Sequence, residues 1–587
     1  MIEWVHPGLI LIAGALFLPL FRGAARKVYL LAVTGAALAD VVTMRTGVFG
    51  TYQFSVDLAL TFGRVDRLSL VFAWVFALIA FIGIVYSLHV EETGRHAAGL
   101  IYAGSALGAV FAGDLITLFI FWELLAFASV FLIWQAGTPS SLAAGYRYLL
   151  VHVAGGASLL AGIIVHVRAT DGIAFEAFDP ATPGYGLILL GFILNAAVPP
   201  LNAWLPDAYP EATVTGAVFM SAFTTKTAVY VLARGFAGSE LLMWLGAVMA
   251  LYGVIYATLQ NDARRLLSYH IISQVGYMVC GIGIGTQMAV NGAVAHAFAH
   301  ILYKALLFMG AGALLHVTGK RRLSDMGGLY RTMPWTFALY MVGAFSISAM
   351  PLTSGFVSKS MVTAGAAEHG LTVVFLMLTA ASAGTFLSVG LKLPWFAFFG
   401  KDSGLQAKEP PTNMLVGMGL AAFFCIFIGI VPGTLYRLLP FPTEFHPYTL
   451  QHVVSTMEIL LLTGVAFMLL RAKLEPKPSL SLDTDWFYRK VARAFMWVVE
   501  RPLSSFEYGV MHRLHEAFIK PLSPLASQVL IFDRHGVDRA VDGVGNVAMS
   551  AGNALRNLQN GRLHRFLYLM AGGLFLMLLI SGFLTSP

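Results

Sequence analysis

Charge is scarce in this chain. Of its 587 residues only 11% are Asp, Glu, Lys or Arg, against 58% hydrophobic, and mean hydropathy is +0.76. Soluble domains carry about a quarter charged residues, so a water-soluble globule is excluded. Cysteine is almost absent as well. Cys280 and Cys425 stand far apart in apolar segments, which argues against a disulfide framework or a thiolate metal site and leaves buried packing as their reading. No cysteine cluster, nucleotide-binding loop or haem-attachment pair is present, so the sequence offers no redox cofactor site of its own and the expected cofactor set is empty.

What the chain has is long apolar runs. Windows long enough to cross a bilayer recur from Pro7 to Arg471 and again near the C-terminus, giving roughly fifteen or sixteen spans. The first, Gly8–Phe21, precedes the basic cluster Arg22, Arg26 and Lys27 without a small-residue cleavage pattern, and reads as a retained helix. The formal charge of +7 is distributed as a topology signal and not as a nucleic-acid surface. Counted in order, the breaks on one side hold Arg22/Arg26/Lys27, Arg264/Arg265, Lys320/Arg321/Arg322/Arg331, Lys401/Lys408 and Arg471/Lys473/Lys477. The other side holds Arg45, Arg64, Arg67, Arg168 and Arg234. The positive-inside rule places the richer side in the cytoplasm and the N-terminus outside, in a multi-pass protein of the cell's inner (cytoplasmic) membrane.

The fold class expected is an all-α polytopic membrane protein with about 14 to 16 transmembrane helices. Residues 1–95 form an N-terminal module of some three helices, 96–236 and 237–400 two related halves, and 401–475 further core helices. Residues 476–563 form an amphipathic lateral segment and 564–587 a terminal span. Duplication shows in the halves: Tyr146–His152 leads into Gly155-Gly156, and His296–His300 leads into Lys304 and Gly310. Each is followed by an apolar segment interrupted by proline, at Val198-Pro199-Pro200-Leu201-Asn202 and at Met350-Pro351-Leu352-Thr353-Ser354-Gly355. Proline breaks a helix and frees a carbonyl, which membrane depth tolerates only inside protein or beside a wet cavity. In Asp485–Glu500, Phe487, Val491, Ala494, Phe495 and Val498 recur at helical spacing against a charged face. That is the pattern of a helix lying on a membrane surface or on a neighbouring protein in a complex.

Against this background the charges inside the apolar runs carry the functional signal. Glu123, Lys226, Lys304 and Lys359 are each flanked by hydrophobic residues. A charge at the bilayer centre costs about 2.5 to 3.5 kcal/mol on insertion scales and marks an internal hydrated path. Several such residues on different helices read as machinery for moving ions. His296, His300 and Lys304 follow one another at intervals of one helical turn and share a helix face. Imidazoles exchange protons near neutral pH, and together the three make a relay. The alternative, satisfied core histidines, suits one histidine better than this series. A metal site is disfavoured, because the lysine repels a cation and no carboxylate or thiol stands nearby in sequence. Glu123 has no partner a helical turn away, and Lys226 needs a counter-charge too, so the two are expected to pair. Lys359 follows the second proline break as an exit group. Lys392 and Asp114 lie nearer span ends, where a solvated structural role competes, and His152 is the first-half counterpart of the histidine helix.

At these residues the sequence resembles the antiporter-like, proton-translocating subunits shared by respiratory complex I and the Mrp-type multisubunit cation/proton antiporters. The resemblance is carried by Phe121-Trp122-Glu123, Trp204-Leu205-Pro206-Asp207-Ala208, Thr225-Lys226, Ser273–Met278, the His296–Lys304 helix with Ala305–Phe308, and Gly355–Lys359. Trp204–Arg234 looks most like the D-type component of Mrp antiporters. The stretch Phe532-Asp533 to Asn546, with Gly561 and a final span, is similar to the tail of the largest complex I antiporter-like subunit, whose surface helix braces its neighbours. The resemblance implies about fourteen core helices in two inverted repeats and a charged mid-membrane axis with Glu123, Lys226, Lys304 and Lys359 in matching roles. It also implies partners: other membrane subunits, protons, and sodium as an exchanged ion. The function implied is proton translocation within an Mrp-type antiporter-like complex; the alternative is a proton-pumping subunit of a complex I-related quinone or ferredoxin oxidoreductase or membrane hydrogenase. One departure stands out. Where much of the family has a lysine before the first broken helix's proline, this chain has Asn195, and an amide cannot titrate.

Overall fold

The computed structural model describes residues 4–55, 58–405, 407–477, 484–558, 570–573 and 576–577. The chain divides into two units, Met1–Phe487 and Tyr488–Pro587. The first is a bundle of membrane-length helices. It opens with α1 (Pro7–Phe17) and α2 (Gly23–Thr43), continues through a hairpin of β1 (Gly47–Ser55) and β2 (Leu58–Val65), and reaches α3 (Arg67–Ser87). The hairpin sits inside a module expected to be purely helical. Its residues alternate polar and aromatic (Thr51-Tyr52-Gln53-Phe54), the two-residue period of a strand and not the helical period.

Ten helices among the described residues are long and apolar enough to cross a membrane, and shorter apolar helices supplement them. The central block holds α4 (Thr93–Phe111), α5 (Leu115–Trp134), α6 (Pro139–Thr170), and a broken rod of α7 (Tyr185–Asn195) and α8 (Trp204–Ala208). A bent rod follows, α9 (Val214–Ala222) with α10 (Thr224–Gly235). The next group repeats it: α11 (Glu240–Leu259), α12 (Ala263–Ile284), α13 (Gln287–Thr318), a second broken rod of α14 (Pro334–Ile347) and α15 (Ser354–Glu368), and α16 (Thr372–Thr385). The last continues through π-helical turns at Phe386–Lys392 and Trp395–Phe399. Then come α17 (Thr412–Ile430), α18 (Gly433–Tyr436) and α19 (Leu450–Leu470).

The repeat is written into the backbone. α6 and α13 are both 32 residues long and both end on a left-handed residue, Asp171 and Gly319. α5 and α12 are both capped by an aspartate, Asp114 and Asp262, whose carboxylate accepts from the second and third amides of its helix. Each aspartate forms an isolated bridge to the strand-like residue after the following helix, Asp114 to Ala174 and Asp262 to Arg322. The two broken rods share three hydrogen bonds position for position: Ala196, Ala197 and Val198 donate to Phe192, Leu194 and Ile193, and Ser348, Ala349 and Met350 donate to Ala344, Ser346 and Phe345. In both, an alanine two residues before the proline adopts positive φ, 57° at Ala197 and 59° at Ala349, a conformation costing an L-residue about 1–2 kcal/mol.

The halves are inverted. Each contains an odd number of rods, so equivalent points fall on opposite faces. Asp114 accepts from the Thr61 amide of β2 at 2.7 Å, on the face with few basic loops. Asp262 meets Arg321 at 2.8 Å, and Arg321 also binds Glu211 at 2.8 Å, on the basic face.

Packing between α11 and α12 is backbone on backbone. A Cβ on Gly246 would stand 2.2 Å from the Cys280 amide nitrogen and one on Gly253 2.4 Å from that of Ser273. Small residues let membrane helices approach this closely where no hydrophobic driving force separates protein from lipid. Cys280 and Cys425 are both buried and free.

The second unit holds most of α20 (Thr484–Val498), then α21 (Ser504–Leu514), α22 (Lys520–Phe532) and α23 (Asp538–Leu558), joined by π-helical turns, one of them containing Pro502. Val491 and Phe495 are exposed within it. The terminal span expected over 564–587 lies, but for a few residues, outside the described residues.

Overpacking a close contact costs about 1–3 kcal/mol. Gly253→Val is therefore expected to lower the thermal midpoint of the detergent-solubilised protein measurably. Gly419→Val, where nothing lies within 4 Å of the added carbon, should leave it unchanged.

Candidate functional site

The second proline break creates an acceptor, and a lysine occupies it. Pro351 has no amide proton to give Ile347, one α-turn back. The Ile347 carbonyl accepts instead from Lys359 Nζ at 2.7 Å. Where the rod of α9 and α10 bends at Phe223, the Ser221 carbonyl accepts from Lys226 Nζ at 2.5 Å, and Thr225 Oγ1 lies 3.1 Å from the same nitrogen. Lys304 Nζ reaches the Leu267 carbonyl of α12 at 3.1 Å. All three lysines are buried, and each ammonium is solvated by protein carbonyls or hydroxyls instead of a carboxylate.

Between them runs a polar row along α13. His296 Nδ1 lies 3.0 Å from Ser358 Oγ, next to Lys359 in sequence. Tyr303 OH sits 3.3 Å from His296 Nε2 and 3.4 Å from Gln274 Oε1, and Gln274 Nε2 reaches Thr385 Oγ1 at 3.3 Å. The His300 ring stands 6.2 Å from that of His296 and 5.2 Å from that of Tyr303. Lys359 lies over the Tyr277 ring at 4.9 Å. Lys304 lies within electrostatic reach of both Lys226 and Lys359, and His300 of all three lysines. Lys226, His300, Lys304, His296 and Lys359 thus form one cluster.

Glu123 stands apart from it. Among the described residues no ion pair joins Glu123 to Lys226; the expected pair is absent, because Lys226 turns to the carbonyl freed by its own bend. Glu123 is only partly buried, and its carboxylate lies against α6, where a Cβ on Gly156 would fall 1.8 Å from Oε1. By the repeat, Gly156 stands where the second half has Lys304, so Glu123 occupies the volume that the larger residue fills in the other half. Nearby, His152 Nδ1 donates to Asn195 Oδ1 at 2.9 Å. His152 is the positional counterpart of His300 and Asn195 of Ile347.

Several buried polar atoms here have no protein partner: Glu123 Oε1, His152 Nε2, Asn195 Nδ2, Thr227 Oγ1, His270 Nδ1, and both ring nitrogens of His300. Buried polar atoms without protein partners are the sites where internal water belongs; those of His300 lie in the cluster, and those of Glu123, His152 and Asn195 lie in the first half. From Lys359 a cavity of about 270 Å³ continues, lined by Ser360, Thr363, Ser382, Gln451, His452 and Ser455 among others. It runs toward the N-terminal end of α19, away from the basic loops.

Two residues weigh more in the structure than their sequence positions suggest. Lys392, read as close to a span end, is 3% exposed and donates to the Thr258 and Gln260 carbonyls at 2.6 and 2.9 Å. His270 is fully buried, with Nε2 2.7 Å from Ser388 Oγ. Its signal is that of a lone histidine in the run Leu266-Leu267-Ser268-Tyr269-His270-Ile271-Ile272. Asp114 acts as a helix cap. No cluster of three or more metal-ligating side chains is found among the described residues.

The cavity beside Lys359 makes its amine the reachable one. A small hydrophilic acylating reagent should modify Lys359 and spare Lys226 and Lys304, as read by peptide mass spectrometry; equal labelling of all three would contradict this geometry.

Comparison with known proteins places this arrangement. Residues 112–387 match the family described as NADH:quinone oxidoreductase/Mrp antiporter, transmembrane. The chain is 32% identical over 395 residues to the A/B component of a probable K+/H+ antiporter of Rhizobium meliloti, covering 62% of this chain and 40% of that protein. It is 32% identical over 330 residues to the D component of the Na+/H+ antiporter of Alkalihalophilus pseudofirmus, covering 53% of this chain and 66% of that one. It therefore spans less than two thirds of the length of either relative. In fold it is similar to a chain of the membrane-bound sulfane sulfur reductase, an archaeal respiratory membrane complex, with TM-score 0.68, 22% identity and coverage of 98% and 99% of the two chains. The inverted helical repeat, the buried lysines and the matched sequence together place this chain in the family of antiporter-like subunits common to Mrp antiporters and complex I.

Proposed function

We propose that this chain is the proton-translocating membrane subunit of a multisubunit Mrp-type cation/proton antiporter-like complex, with sodium as the exchanged ion. The observation that carries this reading is the cluster Lys226–His300–Lys304–His296–Lys359, a row of buried bases without a carboxylate among them. Like charges within electrostatic reach of one another repel more strongly in a medium less polarisable than water, so the row resists holding a full complement of protons. A proton arriving at one end lowers the affinity of its neighbours and pushes the next proton onward. His296 and His300 bridge the lysines as carriers, and Lys359 releases into the cavity that leads past Ser360 and Gln451.

The first half supplies control. Glu123 lies beside the counterpart of the lysine site, and movement of its carboxylate toward Lys226 would hold a proton there; movement away would release it. Asn195 hydrogen-bonds His152 and cannot itself carry the proton. The gathering of the basic loops on one face supports a cytoplasmic side there and an N-terminus on the outside of the cell's inner membrane. Partners are other membrane subunits, and the exposed apolar stripe of the second unit suits such contacts. A second reading is supported by the sulfane sulfur reductase fold likeness: the same pump driven by a redox partner, as in complex I-related oxidoreductases and membrane hydrogenases, with all electron chemistry residing in other subunits.

Removing a group that must be protonated and deprotonated in turnover costs about a hundredfold or more. Lys304→Ala and Glu123→Gln in the assembled complex, reconstituted in vesicles, are each expected to lose proton transport to that extent. Transport at the unmodified rate in Lys304→Ala would overturn the reading. Copurification with flavin or iron–sulfur subunits would select the redox-driven alternative.

A further inference from the structure

The proposed pump has a cavity leading away from Lys359, and its turnover also requires a supply of protons to Lys304 from the basic face. Three residues outside the relay lie in line to provide it. At the surface is a cleft of about 290 Å³, lined among others by Asp207, Glu211, Gln260, Asp262, Arg265 and Arg321. Arg321 holds Glu211 and Asp262 at its rim. The carbonyl of Gln260, one of the cleft's lining residues, accepts from Lys392 Nζ at 2.9 Å. Lys392 closes the π-helical turn Phe386–Lys392, a wide-bore distortion that proteins often place at working sites. Ser388 lies four residues earlier on the same side of that turn. Its Oγ is 2.7 Å from His270 Nε2 and 2.7 Å from the Gly384 carbonyl. His270 Nδ1 is buried and has no protein partner. His270 lies one helical turn along α12 from Leu267, whose carbonyl binds Lys304, and it is within electrostatic reach of Lys304 and Lys359.

We propose that Lys392, Ser388 and His270 form an uptake arm carrying protons from this cleft to Lys304; the proposal rests on the proton-transport reading above. A proton from water in the cleft protonates Lys392. Lys392 passes a proton to Ser388 Oγ as Ser388 gives its own hydroxyl proton to His270 Nε2, so the hydroxyl is unchanged. The imidazolium releases its Nδ1 proton, through an intervening water, to the free amine of Lys304 and returns to a neutral ring, which resets by rotation. Each transfer moves one proton and leaves every carrier in its starting state. The groups facing the arm are Lys304 from α13, Lys359 from α15, the carbonyl end of α11, and the Arg321 cluster at the mouth. Mostly cationic surroundings favour onward release over retention.

The test uses the assembled complex in lipid vesicles with a pH-sensitive dye. His270→Gln keeps a hydrogen-bonding side chain opposite Ser388 and cannot take up a proton. It should lower transport by about a hundredfold while the complex still assembles, and Lys392→Gln should do the same. As a check independent of folding, Asn261→Cys at the cleft is compared with itself before and after a membrane-impermeant thiol reagent; the native cysteines are both buried. Transport should fall when the reagent is applied on the basic-loop face and persist when it is applied on the other. Wild-type transport in His270→Gln, or indifference of Asn261→Cys to modification from the basic face, would overturn the arm while Lys304→Ala still proves inactive. Undiminished transport in Lys304→Ala would remove the pump reading itself, and the arm with it.

Discussion

The central constraint on this molecule is the burial of ammonium groups without counter-ions. An unpaired charge transferred from water into a medium like the protein interior costs far more than any single contact returns, unless oriented dipoles replace its hydration. For Lys226 and Lys359 the replacement comes from main-chain carbonyls that regular helices would have consumed internally. The proline at position 351 releases Ile347, and the bend at Phe223 exposes Ser221. The helix breaks and the lysines therefore depend on one another. At Pro351 and at Phe223 a straight helix would have kept the carbonyl for its own ladder, and the lysine would have lost that acceptor.

The same constraint accounts for the architecture around the row. Breaks at membrane depth must be sheathed by protein, and α12, α13 and the bent rod of α9 and α10 are accordingly almost wholly buried, whereas α6 and α19 expose much of their length. The inversion of the two halves places the two broken rods in opposite senses, so one half can open toward one face while the other opens toward the opposite one. The halves have diverged within that frame. The second keeps a lysine on its long helix, and the first has a glycine there, filled by the Glu123 carboxylate.

Much of this was legible in the sequence. Lys226, Lys304 and Lys359 declared themselves because a charge inside an apolar run is costly and persists only where it has work to do, and the His-His-Lys face followed from helical spacing alone. The paired proline interruptions revealed the duplication, and the backbone repeats it bond for bond. Other features were hidden for identifiable reasons. Lys392 looks peripheral in one dimension because distance along a span says nothing of the neighbouring helix ends that bury it. His270 is inconspicuous because a single histidine has no spacing to display. The Glu123–Lys226 pair follows from complementary need, and the competing acceptor at Ser221 arises from a local bend that no residue pattern marks.

Composition and periodicity by themselves determined that the chain lives in a membrane, is helical, is duplicated, and carries titratable groups at depth, since these follow from the cost of exposing polar groups to lipid and from the geometry of a single helix. Which of those groups meet was decided only in three dimensions. Contacts such as Lys304 with Leu267, His296 with Ser358 and His270 with Ser388 join side chains on one helix to groups on another. They depend on ångström-scale approach between backbones, which glycines and local bends set and which no one-dimensional pattern encodes.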